Sequence, residues 1–386
     1  MNSNKPIIAH YNENFYLKIQ PFIYNYISNL ERFYPIYFAK QFLNLDLYPL
    51  PENDLYRVPV PDPKRYTLQW LYCAVLRRVF GIKISATENI LRKRRVKLIH
   101  AHFGPEGFEA LALRGNLKIP LVVSFYGFDV SLLAEQPEWL ERYQILFQEG
   151  QLFLVEGKFM KSRLINLGAA EDKVKIQRIA IPVESFPFFL RKPKMNGAKV
   201  IFFFCGRFRE KKGLIYTLQA FEQVRQSRKD FEFRIVGGEK LTPEIEEFVR
   251  RHQMAEYVKL LGALDHKDYL REMSKADIYI HPSVTAQDGN SEGGAPTTIL
   301  EAQAMGIPIL STYHADIPNV VVPGQSALLA KERDWESLAS NVHHLMENQN
   351  EWAKMGQAGR NFVEEYHNVK KEVQGLEESY SSLINA

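Results

Sequence analysis

The stretch KVIFFFCGRFREKKG, residues 199–213, predicts a buried strand that runs directly into a glycine-bearing loop. A continuous apolar run of this kind is typical of a parallel strand that is covered on both faces. Comparable short runs recur along the chain, and segments with a helical period separate them. This alternation predicts an α/β fold with parallel sheets that helices cover on both sides. The predicted strands are residues 96–102, 120–125, 151–155, 174–181, 199–205, 231–236, 258–261, 278–281 and 309–311.

The length of the chain, 386 residues, indicates two domains, because one hydrophobic core rarely serves so many residues. The segment FPFFLRKPKMNG, residues 186–197, contains two prolines and a glycine and lies between two sets of strands. We therefore predict one Rossmann-like domain over residues 1–190 and a second over 191–365, with a C-terminal helix over 366–386 that packs back on the first. Ligands of open parallel sheets bind at the carboxyl ends of the strands, so we expect two domains that face each other across a ligand-binding cleft.

The composition, with 46% hydrophobic and 24% charged residues, is that of a globular protein and excludes a disordered chain. The start, MNSNKPIIAHYNE, lacks the apolar core of a secretion signal, and no stretch reaches the roughly 18 apolar residues of a membrane span. The expected location is the cytoplasm. Cys73 and Cys205 stand in neither a redox nor a zinc spacing, which indicates reduced structural thiols.

The charge of the chain is concentrated in residues 64–97, which hold ten Lys or Arg residues against the single acid Glu88. Within this patch, the aromatic and basic segment 66–80 suits an anionic membrane surface, as for a peripheral protein on the inner face of the plasma membrane. It equally suits a buried helix whose arginines lie at its C-terminal end. Both interpretations stay open. No nucleic-acid-binding module is recognisable, so nucleic acid is not an expected partner.

The loop after the strand at 199–205 contains Gly206, Arg207 and Lys212. A glycine permits a tight turn, and the two cations can converge on one anion beside the N-terminus of the next helix. A guanidinium fork together with an ammonium point charge suits a diphosphate. The alternative to a diphosphate site is a basic loop that is simply exposed to solvent.

A second loop, DGNSEGGAPTTILE, residues 288–301, follows the strand at 278–281 and becomes a helix. Its two glycines allow the backbone to approach a ligand closely, and its threonines bring hydroxyls to a helix N-terminus where phosphate binds well. Glu301 lies further along the helix, where a carboxylate can accept hydrogen bonds from the vicinal hydroxyls of a ribose. A carboxylate pair can instead mark glycoside hydrolysis. The candidate ligand-binding residues here are Glu292, Gly293, Gly294, Ala295, Pro296, Thr297, Thr298 and Glu301.

These two segments resemble retaining glycosyltransferases of family 4, which have the GT-B fold. The resemblance is strongest over residues 206–322 and includes GALDH at 262–266, ADIYIHPS at 276–283 and GIPILST at 306–312. It implies that Arg207 and Lys212 hold the diphosphate, that Glu301 holds the ribose and that the Glu292 loop holds the donor sugar. Members of the family have a Glu-x7-Glu motif, whereas eight residues separate Glu292 from Glu301 here, so Gly293 occupies the strict register. An extra residue in the loop would restore the role of Glu292.

In the first domain, LIHAHFG at 98–104 and SFYGFD at 124–129 resemble the acceptor-side loops of the family. The acceptor-side candidates are His102, Gly104, Tyr126 and Asp129, and the family often has histidine where this chain has Tyr126. His102 and Asp129 are expected to contact the acceptor or the transferred sugar. Together with Arg207, Lys212 and Glu292 they are the catalytic candidates. Each is also a common structural hydrogen-bonding residue at a strand end.

The resemblance implies transfer with retention of configuration to a saccharide or lipid-linked acceptor of a bacterial polysaccharide, from a UDP-sugar in the first place and a GDP-sugar as the alternative. No metal and no cofactor are expected, because Asp-x-Asp is absent from the sequence and His100-x-His102 lacks a nearby third ligand. A nicotinamide dehydrogenase is disfavoured, since no strand leads into Gly-x-Gly-x-x-Gly. A sugar-nucleotide epimerase or hydrolase and a non-catalytic sugar-nucleotide-binding partner stay open.

Overall fold

The computed structural model describes residues 5–16, 21–58, 85–115, 117–195 and 197–385. It divides into two compact units. The first contains Met1–Val155, Lys161–Gln177 and Lys370–Ala386, and the second contains Glu156–Met160 and Arg178–Val369. The sequence-based boundary lies at residue 191, whereas the units divide after Gln177.

The segment after Gln177 belongs with the second unit because its polar groups are bonded there. The buried Arg191 donates to the main-chain oxygen of Ala276 at 2.8 Å, and His367 Nδ1 lies 2.7 Å from the Ile179 oxygen. The proline-rich composition of residues 186–197 therefore marks an irregular segment inside the second unit.

Within the described residues, the first unit is built on seven parallel strands in the order β5-β3-β1-β6-β7-β8-β9. The order reverses between β1 and β6, whose residues His10 and His100 are direct neighbours in the register. The strands of this unit are β1 Ile7–Tyr11, β2 Asn14–Phe15, β3 Tyr34–Ala39, β4 Gln41–Phe42, β5 Leu55–Arg57, β6 Val96–His102, β7 Leu121–Ser124, β8 Leu152–Val155 and β9 Val174–Ile176. The short β2 and β4 pair only with each other.

The second unit is built on six parallel strands in the order β12-β11-β10-β13-β14-β15, again within the described residues. Its core is strongly aromatic, because Phe202, Phe221 and Phe233 are fully buried and in contact. The strands are β10 Val200–Cys205, β11 Phe231–Val236, β12 Val258–Leu260, β13 Ile278–His281, β14 Ile309–Thr312 and β15 Ala327–Ala330.

Helices connect the strands in both units. In chain order they are α1 Pro21–Ser28, α2 Ser85–Lys93, α3 Gly104–Arg114, α4 Pro137–Glu149, α5 Lys158–Asn166, α6 Leu214–Ser227, α7 Thr242–Arg251, α8 His266–Ser274, α9 Thr297–Ala304, α10 Ile317–Val320, α11 Trp335–Glu347, α12 Trp352–Tyr366 and α13 Val369–Asn385. The predicted α/β class with two Rossmann-like domains is confirmed. The strands β1, β3, β5 and β15 were not predicted from the sequence.

Helix α13 belongs to the first unit although it follows the whole second unit in the sequence. The hydroxyl of Tyr380 lies 2.5 Å from His100 Nδ1, and the buried Glu377 accepts hydrogen bonds from the main chain of Glu31 and Arg32. These contacts fix the helix to the first sheet.

The predicted membrane-binding segment, residues 66–80, lies outside the described residues. At the described end of the same basic patch, Arg94 pairs with the buried Asp54 at 2.6 Å and Arg92 pairs with Glu88 at 3.0 Å. These two arginines therefore have structural partners. Among the helices in the described ranges, none has the length and apolarity needed to cross a membrane.

Candidate functional site

The loop after β10 is held tightly at the carboxyl edge of the second sheet. The Gly206 N–H donates to the Val236 oxygen at 3.1 Å, and the buried Phe208 anchors the middle of the loop. A short turn over Glu210–Lys212 ends at Gly213, which has a φ of 69°. A Cβ at Gly213 would lie 1.7 Å from the Pro282 oxygen, so only glycine fits between this loop and the end of β13.

Three of the four cations of this loop differ in their surroundings. Lys212 Nζ lies 2.9 Å from the carboxylate of Glu292. Lys211 Nζ donates to the Ser291 oxygen at 2.8 Å and to Asn290 Oδ1 at 3.2 Å. The Arg207 side chain is 42% exposed and lies 3.8 Å from Glu239. The two lysines are thus hydrogen-bonded to the loop that follows β13, whereas the guanidinium of Arg207 is partly exposed to solvent.

The carboxylate of Glu292 is buried between these lysines and Ser283, whose hydroxyl donates to it at 3.1 Å. Burial alone would raise the pKa of Glu292, but the positive charges of Lys212 and Lys211 hold that pKa well below its usual range. Glu292 is therefore ionised at neutral pH. Among the predicted site residues in the described ranges, it is the hydrogen-bond partner of Lys212.

Both glycines of the second loop lie where a side chain would be strained or would clash. The close approach of this backbone to a ligand stays a prediction. Gly293 has a φ of 73°, and a Cβ at Gly294 would lie 1.5 Å from Glu156 Oε2. Pro296 immediately precedes α9, and the Thr298 hydroxyl at the start of that helix accepts from the Tyr279 hydroxyl at 2.6 Å. The backbone therefore passes from Glu292 to the helix N-terminus without a bulky side chain at either glycine.

Glu301 is buried in α9, and its only described ionic partner is His266 at 3.5 Å. Burial raises the pKa of Glu301, while the hydrogen bond to Glu301 raises the pKa of His266. Cys205 at the end of β10 is inert as a nucleophile, since burial raises the pKa of its thiol to about 12.

The turn after β14 also holds the Glu292 loop, and this contact was not predicted from the sequence. The Glu292 N–H donates to His314 Nε2 at 3.1 Å, and the Asp316 N–H donates to the Gly294 oxygen at 3.2 Å. The only signal in the sequence is that polar residues, His314 and Asp316, follow the predicted strand at 309–311, at the same sheet edge as the Glu292 loop.

In the first unit, the four acceptor-side candidates form one hydrogen-bonded group. The fully buried carboxylate of Asp129 accepts from the Gly104, Tyr126 and Gly127 N–H groups at 2.9 to 3.3 Å. Burial raises the pKa of Asp129 to about 6, against the lowering effect of these N–H groups. In this arrangement Asp129 ties the loop after β7 to the N-terminus of α3.

His102 lies in a row of imidazoles. Its Nδ1 is 2.8 Å from the Tyr126 hydroxyl and its Nε2 is 3.2 Å from His10 Nδ1. His100, beside them, is hydrogen-bonded to Tyr380 and Ser124. Burial lowers the pKa of His100 to about 3 and lowers the pKa of His10 and His102 well below the usual value. All three imidazoles are therefore neutral.

The prediction that His100 and His102 lack a third ligand is wrong, because the pairing of β1 with β6 brings His10 to them. One nitrogen of each of the three imidazoles lies within 4.8 Å of the others. Hydroxyl groups or another imidazole already engage the nitrogens of His100 and His102. This set of contacts fits a structural hydrogen-bonded row better than a zinc site, which needs nitrogens directed at one point.

Glu106 is a second residue that sequence analysis missed. It lies in the first turn of α3 and is 8% exposed, and its Oε2 has no hydrogen-bond partner among the described residues. Burial, opposed by hydrogen bonds from main-chain N–H groups, raises the pKa of Glu106 to about 8. It is protonated at neutral pH, close to the acceptor-side candidates of the first unit.

Residues 185–362 match the family model described as "Glycosyl transferases group 1". This segment, which holds both loops of the second unit, is therefore a glycosyltransferase group 1 domain. The chain is 30% identical over 266 residues to the amylovoran biosynthesis glycosyltransferase AmsK of Erwinia amylovora, covering 68% of this chain and 64% of that protein. It is also 30% identical over 244 residues to WcaL of Salmonella typhimurium, whose name provisionally assigns it to colanic acid biosynthesis as a glycosyltransferase.

The match to WcaL covers 63% of this chain and 59% of WcaL, so the similarity spans less than two thirds of either curated relative. Among solved structures, a glycosyltransferase from Rickettsia africae superposes with a TM-score of 0.75 at 15% identity and covers 99% of both chains. Anabaena Alr3699/HepE in complex with UDP superposes with a TM-score of 0.75 at 14% identity, over 98% of this chain and 100% of that chain. These similarities confirm the GT-B fold.

Proposed function

We propose that this chain is a glycosyltransferase that moves a sugar from a nucleotide-diphosphate sugar to a lipid-linked or oligosaccharide acceptor in polysaccharide biosynthesis. The observation that carries the proposal is the contact of Lys212 with Glu292, inside the segment that matches the glycosyltransferase family model. It joins a cation suited to a diphosphate with an ionised carboxylate suited to sugar hydroxyls.

The diphosphate is proposed to bind between Arg207, Lys212 and the N-terminus of α9. The exposed guanidinium of Arg207 is available as a fork for two phosphate oxygens. The first turn of α9 adds main-chain N–H groups and hydroxyls, including that of Thr298. Glu301, one turn further, is proposed to accept the ribose hydroxyls.

Transfer is proposed to retain the anomeric configuration and to need no metal. The acceptor oxygen forms its bond to the anomeric carbon on the face from which the diphosphate leaves. The bond from that carbon to the phosphate oxygen breaks, and the acceptor proton passes to the departing phosphate. Arg207 and Lys212 would stabilise the negative charge that develops on the diphosphate in the transition state. This stabilisation would lower the activation barrier of the transfer.

A uridine nucleotide is the first donor to test. The Anabaena structures contain UDP or UDP-glucose, and a mannosyltransferase of Corynebacterium glutamicum, 29% identical over 154 residues, is named as GDP-mannose-dependent. A UDP-sugar is therefore the proposed donor and a GDP-sugar the alternative. If the acceptor is lipid-linked, the enzyme would work at the inner face of the plasma membrane.

The names of the curated relatives favour transfer over the epimerase, hydrolase and binding-only alternatives. Turnover of the nucleotide sugar in the absence of any acceptor would instead support an epimerase or hydrolase. Binding without transfer to a panel of saccharide and lipid-linked acceptors would support a binding partner.

A thermal-shift panel of nucleoside diphosphates and nucleotide sugars, run in EDTA, tests donor binding. A ligand that binds only the folded state at about 100 times its Kd stabilises it by about 2.7 kcal/mol. We expect the matching nucleotide to raise the melting temperature without metal. If no nucleotide in the panel does so, the proposed function fails.

Arg207→Ala and Lys212→Ala test the diphosphate assignment. Each variant should weaken nucleotide diphosphate binding by about tenfold or more and abolish measurable transfer, because charge-assisted hydrogen bonds to phosphate are lost. Arg250→Ala is the matched control, since Arg250 is 76% exposed and pairs with Glu247 outside both loops. Near-normal transfer by both loop variants, with melting temperatures close to wild type, would contradict the assignment.

A further inference from the structure

The turn over residues 314–316 joins β14 to α10 and lies at the carboxyl edge of the second sheet. Since β13 and β14 are parallel neighbours, this turn emerges beside the loop that carries Glu292. Ala315 has a φ of 46°, in the left-handed region that a residue with a side chain rarely adopts. This conformation places His314 and Asp316 on either side of a sharp bend.

Two hydrogen bonds connect this turn to the loop. His314 Nε2 accepts from the Glu292 N–H at 3.1 Å, and the Asp316 N–H donates to the Gly294 oxygen at 3.2 Å. They hold the chain on both sides of Gly293, which has a φ of 73° and no side chain of its own to fix it. The backbone of the segment from Glu292 to Gly294 is thus fixed from the neighbouring strand end.

The hydrogen bonds of His314 define its tautomer. A main-chain N–H can only donate, so Nε2 must be the unprotonated acceptor and Nδ1 must carry the proton. Nδ1 lies 2.6 Å from Glu332 Oε1, and the other oxygen of Glu332 accepts from the Thr285 N–H at 2.7 Å. Glu332 therefore orients an imidazole that is itself only 1% exposed.

We propose that His314 is a positioning residue for the donor sugar: through the Glu292 N–H it holds the loop in the shape that distinguishes a nucleotide sugar from a nucleoside diphosphate. This inference rests on the proposed function, because it assumes that the Glu292 loop faces the sugar. The turn is bonded to the main chain of Glu292 and Gly294, whereas Lys212 contacts the Glu292 side chain and belongs to the other loop. Loss of His314 should therefore change the affinity for the sugar more than the affinity for the diphosphate.

The test compares two affinities in each protein: that for UDP-glucose and that for UDP, or for GDP-mannose and GDP if the guanosine pair is the one that binds. His314→Leu removes the acceptor and should weaken nucleotide sugar binding about tenfold while changing nucleoside diphosphate binding less than twofold. His314→Gln offers an amide oxygen at a similar reach to Nε2 and should restore most of the lost affinity. Isothermal titration calorimetry measures both constants.

The ratio of the two affinities does not depend on the fraction of protein that is folded, so partial unfolding of one variant does not imitate the effect. His344→Leu is the matched control, because His344 also pairs with a glutamate, Glu351 at 3.2 Å, but is exposed on α11. It should leave the ratio unchanged. An unchanged ratio in His314→Leu overturns the inference even though wild type binds both ligands, whereas a wild type that binds neither ligand overturns the proposed function itself.

Discussion

Glu106 is the side chain whose protonation state differs most clearly between the folded and unfolded chain at neutral pH. Its folded-state pKa of about 8 lies well above the ordinary value of a glutamate. The folded chain therefore binds this proton more tightly than the unfolded chain. Glu106 makes its full contribution to the free energy of unfolding below about pH 4.5. This contribution decreases as the pH rises to about 8 and does not change above that value.

Glu106→Gln replaces the protonated acid with a neutral side chain of the same shape. We expect the variant and wild type to have similar free energies of unfolding at pH 5. Wild type should then lose stability relative to the variant at up to about 1.4 kcal/mol per pH unit between pH 5 and pH 8, a total on the order of a few kcal/mol. Urea denaturation at a series of pH values measures the difference.

Glu138→Gln is the control for this series, because Glu138 is 71% exposed on α4 and pairs only with Arg142 in the described contacts. The pH series of Glu106→Gln is read against the series of this variant, which carries the same chemical change at an exposed position. A flat difference for Glu106→Gln would show that Glu106 is ionised in the folded protein.

At this scale the sequence predicted candidate residues that lie next to the ends of strands. Lys212 and Glu292 were both inferred from loops that follow a strand, and the structure places them in contact. His10 was missed as the neighbour of His100 because only the register of β1 against β6 brings the two together. His314 was missed for the same reason, since its contact with Glu292 depends on the packing of adjacent strand ends.

At the scale of secondary structure, a single methyl group should disturb the short turn before α6. Gly213→Ala puts a Cβ 1.7 Å from the Pro282 oxygen at a residue with a φ of 69°. The added Cβ forces the loop after β10, which carries Lys211 and Lys212, to move away from β13. We therefore expect the free energy of unfolding to fall by about 2 to 4 kcal/mol and the nucleotide affinity to weaken about tenfold. Chemical denaturation and calorimetry measure these two effects.

Gly375→Ala is the matched control for the same chemical change. Gly375 lies inside α13, and no heavy atom lies within 4 Å of the added Cβ. Alanine should stabilise this helix by about 0.5 to 1 kcal/mol, since glycine is the poorer helix former. If Gly213→Ala behaves like this control, the turn is not confined by Pro282.

The strands that the sequence predicted have either a continuous apolar run, as in β10, or alternating apolar residues, as in β11. The predicted strand at 231–236 coincides with β11, in which Phe231, Phe233 and Ile235 are buried. β3, YPIYFA, was missed because a proline counts against a central strand. β1, IIAHY, was missed although four of its five residues are buried. Pro35 is opposite Ile8 of β1, whereas the pairing of β3 with β5 begins only at Tyr37, so strands do not pair with the proline from both sides.

At the scale of the whole molecule, Glu377 tests how the first unit depends on α13. Its buried carboxylate accepts from the Glu31 and Arg32 N–H groups at 2.7 and 2.6 Å and from Arg32 Nε at 3.0 Å. Glu377→Ala should lower the free energy of unfolding by about 2 to 4 kcal/mol, because these donors lose a charged partner. Hydrogen exchange should increase in β3 and β6, while the loops of the second unit keep their protection.

Glu378→Ala is the control, because Glu378 is the exposed neighbour on the same helix and accepts only from Gln374 in the described contacts. It should leave exchange unchanged in both units. Equal deprotection of the two units by Glu377→Ala would mean that α13 does not stabilise the first unit selectively.

The return of α13 to the first unit also orders events during translation. A ribosome that adds about 5 to 20 residues per second needs on the order of 10 to 40 s to make the second unit after β9 has emerged. Throughout that interval His100 lacks Tyr380 and the main chain at Arg32 lacks Glu377. The unit whose synthesis begins first is thus completed last.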